Sequence, residues 1–198
     1  ILLINAAFTI PERGTEAVSM FQIGDYVVYG GDGVCRVEDI GCPPIDGVDQ
    51  STPFYFLKPL AYEGVIYTPV NANLPIRPAL NEAEAVALIN SLPDLPAQVN
   101  CSRDKKALAE HYAALMKPFT CEALAQTIKS LYEKRTVGTG RSHGLSASED
   151  ALLRKAELRF NEEIGVALGI SPDSVTEHIR SVLESMGSTA PEWLAAGD

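Results

Sequence analysis

The residues able to do chemistry are few and scattered. Cysteines stand at Cys35, Cys42, Cys101 and Cys121, and none forms a C-x-x-C pair. That spacing points to neither a zinc ribbon nor a redox dithiol. His111, His143 and His178 lie on separate segments, with no second histidine or carboxylate at metal-ligand spacing. Gly30-Gly31-Asp32-Gly33 lacks the Gly-Lys-Ser/Thr ending of a phosphate loop, and it joins two strand-like runs rather than a strand and a helix. Glu38 and Asp39 fall in a strand-like run, where neighbours point to opposite faces and cannot share a site. There is no G-x-S-x-G nucleophile motif. No nucleophile, base or metal set assembles, so nothing in these residues calls for an enzyme or a cofactor.

The other chemistry that side chains can supply is charge. The 198-residue chain carries a formal net charge of -10, which disfavours long-range attraction to nucleic acid. The distribution is uneven. Residues 99–141 hold eight Lys and Arg against four acids, a local +4 in a remainder of -14. Within this island Ser102-Arg103-Asp104-Lys105-Lys106 reads as the opening of a helix capped by Ser102, with Arg103, Lys106 and Glu110 at about one-turn spacing. Phosphate contact needs only cations held on a rigid element. The plainer reading of the same pattern is a solvated helix face. Cations at a helix N-terminus oppose the macrodipole, a mild local cost that favours a functional role.

Two kinds of element must position these residues. From 20 to 79 the sequence reads as short strands: Asp25–Tyr29, Val34–Ile40, Phe54–Leu57, Val65–Thr68 and Ile76-Arg77, with glycines at the first turn and a turn-rich loop over 41–53. From Leu80 onward the pattern is helical. Asn81 and Glu84 form a capping signal for a helix to about Ser91, and Pro93–Pro96 breaks it. Ser102 caps a helix to about Met116, and Thr120 one to about Arg135. Ser146 and Glu149 open a long helix to about Leu168. Ser171-Pro172 starts a last helix to about Met186. Ala167–Gly187 also resembles the turn and recognition helix of a LuxR-type helix-turn-helix. Asp173, Glu177 and Glu184 against Arg180 make that segment more acidic than a helix entering the DNA groove usually is, which weighs against groove binding.

The fold class expected is therefore α+β: an N-terminal small Tudor- or SH3-like β-barrel followed by an all-α domain of about five helices. The expected divisions are an extension over 1–19, a β-domain over 20–79, a helical domain over 80–187 and a frayed tail over 188–198. The change from strands to helices falls between Pro78 and Asn81. The 46% hydrophobic content suffices for a packed core. Scattered thiols fit a reducing compartment. No apolar run approaches the ~20 residues of a membrane span.

Read together, the parts resemble a known family. Phe21-x-Ile23-Gly24-Asp25-x-Val27-Val28-Tyr29, then a glycine-valine turn into a second strand, is similar to the opening of the CarD/CdnL family, a module shared with transcription-repair coupling factors. The likeness continues through Asn100-Cys101-Ser102-Arg103, Gly144-Leu145-Ser146-Ala147, Glu149, Ala156 and Glu162-Glu163-Ile164. The resemblance implies a cytoplasmic, bacterial transcription regulator with no catalytic activity and no cofactor, acting as a monomer. Its Tudor-like domain would bind the RNA polymerase β subunit, partly by strand pairing through Val65, Ile66, Tyr67 and Thr68. Its helical domain would touch promoter DNA without sequence specificity, at the upstream edge of the melted bubble. Cys101, Arg103, Lys105 and Lys106 occupy the corresponding DNA-contact positions. The chain departs from the family at Cys101, where a DNA-wedging tryptophan is usual, and a thiol cannot stack on a base as an indole does. Gly30 and Asp32 replace the usual Pro and His of the first turn. Residues 20–98 carry three cations, Arg36, Lys58 and Arg77, against ten acids. The alternative is a polymerase-docking adaptor whose helices bind protein and not DNA.

Overall fold

The computed structural model describes residues 21–45, 47, 51–71, 76–100, 102, 104–117, 119–137 and 144–188. Among these residues five strands, β1 (Tyr26–Tyr29), β2 (Gly33–Gly41), β3 (Phe54–Pro59), β4 (Ile66–Pro69) and β5 (Ile76–Pro78), precede five helices. These are α1 (Glu82–Ser91), α2 (Lys105–Met116), α3 (Cys121–Val137), α4 (Ala147–Leu168) and α5 (Val175–Ser185). The architecture is α+β, an antiparallel five-stranded sheet followed by helices, as the alternation of patterns requires.

The sheet runs in the order β4-β3-β2-β1-β5. Its hairpin register pairs Val28 with Val34 and Tyr29 with Gly33 across a short 3-10 turn, Gly30–Asp32. Gly30 (φ 44°) and Gly33 (φ 84°) supply the positive dihedrals that this turn needs. Inward residues alternate on β3, where Tyr55 and Leu57 are buried. On β2 the alternation holds through Cys35 and Val37 and then slips at a bulge between Val37 and Asp39. The bulge leaves both Glu38 and Asp39 exposed. Phe21, Val27, Cys35, Val37, Tyr55 and Leu57 form one buried cluster.

The helices bury a second and larger cluster, including Ile89, Leu92, Ile128, Leu131, Phe160, Ile164, Ile179 and Leu183. Helix α4 is its spine. Leu153, Ala156, Phe160, Glu163 and Ile164 recur at three- and four-residue spacing along its buried stripe. Both helix-capping signals form in full: Asn81 with Glu84 on α1, and Ser146 with Glu149 on α4. Thr120 Oγ1 accepts from the Ala123 amide at the start of α3. Gly169, in the left-handed region at φ 66°, ends α4.

Two helix starts differ from expectation. Helix α2 is capped by Asp104, not Ser102: the Asp104 carboxylate accepts from the Lys106 amide at 2.9 Å. Asp outcompetes Ser because its charge also complements the helix dipole. Ser102 instead supports the cap, its hydroxyl accepting from the Asp104 amide at 3.1 Å. Ser171-Pro172 opens a single 3-10 turn, Pro172–Ser174, before α5 begins at Val175. Helix α5 buries Val175, Ile179 and Leu183 against the helical core, and Arg180 pairs with Glu177 at 2.5 Å.

Val28 and Val34 are buried but belong to neither cluster. They face the helices, and α4 crosses this side of the hairpin. A Cβ on Gly33 would collide with the Arg159 side chain of α4. Gly33 therefore serves both the turn and the approach of the helix. Gly33→Ala should destabilise the protein by about 1–3 kcal/mol from backbone strain alone, with displacement of Arg159 added to that. Urea unfolding checks this, and a loss within error of zero would show that the close approach is dispensable.

Candidate functional site

Three features of the surface and the junction can carry an interaction. The first is the sheet edge. Strand β4 pairs only with β3, so its outer backbone groups meet no other strand among the described residues. Such an edge is a template for an added strand. The chain leading into it is unusually apolar at the surface, with Leu60, Tyr62 and Val65 each more than two-fifths exposed. Tyr62 donates its hydroxyl proton to Asp32 Oδ1 at 3.1 Å and so ties this connection to the hairpin turn. Tyr67 packs edge-on against Phe56, ring centroids 4.8 Å apart.

The four edge residues read from the sequence are not equivalent. Val65 lies just outside β4 and is 49% exposed. Ile66 and Tyr67 are half-buried, and Ile66 packs on the sheet core. Thr68 is 2% exposed. Its side chain points inward, as strand alternation requires, so what it offers to strand pairing is its backbone.

The second feature is the start of α2. Lys106 is well exposed, with Glu110 3.9 Å away at i,i+4, a pair screened by water and of little energetic weight. Cys101 and Arg103 lie outside the described residues, as does the side chain of Lys105. The spacing expected of Arg103, Lys106 and Glu110 therefore rests in part on a residue outside the described ones.

The third feature was invisible in the sequence. Arg77 on β5 and Glu163 on α4 form a two-pronged ion pair, Nη1 to Oε1 at 2.6 Å and Nη2 to Oε2 at 2.8 Å. Glu163 is 1% exposed and also accepts from the Leu80 amide at 3.2 Å. Arg77 Nε donates to the Phe119 carbonyl at 2.8 Å. The two residues are 86 positions apart, so periodicity gave no signal for the pair. Nearby, Arg159 Nη1 donates to Glu162 at 3.0 Å, and its Nη2 reaches toward the Gly31 carbonyl at 3.5 Å. Burial pushes the Glu162 carboxyl above its usual range, although Arg159 opposes this. Ala156, Glu162, Glu163 and Ile164, which carried part of the family resemblance, are all buried at or beside this junction.

Two of the thiols, Cys35 and Cys121, are buried. Burial, with Asp32 adding to it, pushes the Cys35 thiol up to about 12. Burial and Glu163 likewise raise Cys121. Thiols held this far above neutrality are poor nucleophiles. His111 donates to the Gln98 carbonyl at 2.9 Å. Among the described residues no cluster of His, Cys, Asp or Glu could hold a metal ion, and no helix is long and apolar enough to cross a membrane.

Comparison with known families agrees with the β-domain reading. Residues 21–80 match the model of the CarD-like/TRCF RID domain. No curated protein matches the chain. Residues 21–80 thus form a CarD-like RNA-polymerase-interacting domain, and the Arg77–Glu163 pair fastens it to the helices that follow.

The pair should respond asymmetrically to mutation. Arg77→Ala leaves a buried carboxylate without its cation and should cost about 3–5 kcal/mol in urea unfolding. Glu163→Gln keeps the shape and leaves an arginine that can reach water, so it should cost clearly less. Equal losses would mean that Glu163 is better solvated than its burial indicates.

Proposed function

We propose that the chain is a transcription regulator that docks on the RNA polymerase β subunit through the β4 edge and brings its helical domain to promoter DNA, at the upstream edge of the melted bubble, where it modulates open-complex stability. One observation carries this reading: a CarD-like polymerase-interacting domain with an open edge, joined to a helical domain through a buried ion pair. Docking raises the local concentration of the helices at the promoter. Weak phosphate contacts from the 99–141 island then suffice in spite of the -10 net charge.

A second reading has support of its own. Asp104 caps α2 beside the cations, and the acidic residues of α5 leave Arg180 engaged with Glu177. This favours an adaptor that docks on polymerase while its helices bind a protein.

Val65 and Tyr67 present the side chains best placed to reach a partner strand. Val65→Glu with Tyr67→Glu should weaken binding to the polymerase β subunit by about tenfold or more, as expected when central apolar contacts of a small interface are replaced by charge. Titration of the full chain, with circular dichroism to confirm folding, checks this. Unchanged affinity of a folded double variant would place the contact elsewhere.

The DNA arm separates the two readings. Reversing Arg103, Lys105 and Lys106 together should lower polymerase-dependent binding to forked promoter DNA and flatten its salt slope by about three, close to one for each phosphate no longer neutralised. Cys101→Trp should raise affinity on the order of 1–3 kcal/mol if a base at the fork stacks on the new ring. Salt-independent association that ignores charge reversal would select the adaptor.

A further inference from the structure

Between the sheet and helices α2, α3 and α4 lies a cavity of about 1390 Å3. One end is the hairpin turn, where Gly30, Gly31 and Gly33 face Lys155 and Arg159. The remainder is largely apolar, with Val34, Leu108, Met116, Leu124, Leu145 and Leu152 on its walls. Ligand sites commonly have this composition, an apolar body with a few converging polar groups.

The charges on these walls are unequally satisfied. Glu149 is held by Lys134 at 2.6 Å, and Glu163 by Arg77 at 2.6 Å. Glu162, next to the wall, takes Nη1 of Arg159 at 3.0 Å. Asp32, on the same turn, accepts from Tyr62. Lys155 has no acidic partner among the described residues. Arg159 is also incompletely used. Among the described residues its buried Nε has no acceptor, and its Nη2 has only the long 3.5 Å approach to the Gly31 carbonyl. Nε and Nη2 form one edge of the guanidinium, the edge that takes a carboxylate or phosphate with two parallel hydrogen bonds. A buried donor without an acceptor is uncommon in folded proteins.

We propose that this cavity binds a single-chain amphiphilic anion, with a carboxylate or phosphate head and an apolar tail. The head sits at Lys155 and, after the guanidinium turns away from the Gly31 carbonyl, against the Nε–Nη2 edge of Arg159. The tail lies along the apolar walls of α2, α3 and α4. Neither half of such a ligand satisfies the cavity alone: a bare anion leaves the walls empty, and a neutral chain leaves the cations unanswered. The walls come from both the polymerase-interacting domain and the helical domain, so an occupant braces one against the other. The proposal stands whether or not the helices touch DNA.

The test uses the full chain with ten-carbon probes below their micelle concentrations, read by titration calorimetry and thermal unfolding. Decanoate or decyl phosphate should bind saturably at one site and raise the unfolding midpoint. Decanol and inorganic phosphate should each bind at least about tenfold more weakly, and decyltrimethylammonium should not bind. Lys155→Glu should weaken the anionic probes by about tenfold while leaving the midpoint of the free protein unchanged, since Lys155 is exposed and has no ion-pair partner to lose. Ala113→Trp, which fills the cavity from the exposed wall of α2, should abolish binding. The proposal is overturned if neither anionic probe saturates, if the cationic probe binds equally well, or if neither variant changes the affinity.

Discussion

The arrangement of this protein rests on a single buried carboxylate. Glu163 is almost wholly removed from water near the C-terminal end of α4. A carboxylate in that position costs several kcal/mol unless its oxygens are fully occupied. Here both oxygens receive a guanidinium prong, and one also accepts from the Leu80 amide. Each donor comes from a different place: Arg77 from the last strand, Leu80 from the join between strand and helix. Arg77 in turn reaches the Phe119 carbonyl just before α3. One carboxylate therefore ties together β5, the chain leading into α1, α4 and the entry to α3. Moving the sheet relative to the helices means breaking these bonds at once, and this makes the β-domain and the helices behave as coupled parts.

A second contact fixes the same helix one turn earlier. Gly33 admits the Arg159 side chain against its backbone, where any larger residue would collide. The glycine tetrad is thus not explained by the turn alone. Gly30 and Gly33 meet the dihedral requirement, and Gly33 also lets α4 come close. Arg159 is held by Glu162, so the adjacent acids Glu162 and Glu163 each fasten a different arginine, one from α4 itself and one from the sheet. The open edge β4 lies at the far side of the sheet from β5. A partner strand can add there without disturbing the junction, and its position would be transmitted to the helices through β5 and β1.

Much of the fold was legible in the sequence because it depends on local rules. Period-2 runs gave five strands, and the capping residues Asn81, Thr120 and Ser146 marked three helix starts. Where two capping candidates compete, local pattern is not decisive. Ser102 and Asp104 are both able to cap, and the charged one prevailed. The burial of Thr68 likewise depends on which face of β4 meets the core, set by its register against β3.

The junction itself lay beyond reach of pattern reading. Arg77 and Glu163 are ordinary charged residues in their own segments, and nothing within several residues of either foretells the other. Their pairing is a property of how α4 lies across the sheet. The same holds for Lys155 and Arg159, which on a helical wheel are only two cations one turn apart, and which become distinctive when the glycine turn is placed against them. The order and kind of the elements, and the polymerase-interacting character of the β-domain, could be read from the residues because they follow from local periodicity, capping and motif. Which charges are buried and paired could be read only from the folded chain, because desolvation and ion pairing depend on distances between segments far apart in the sequence.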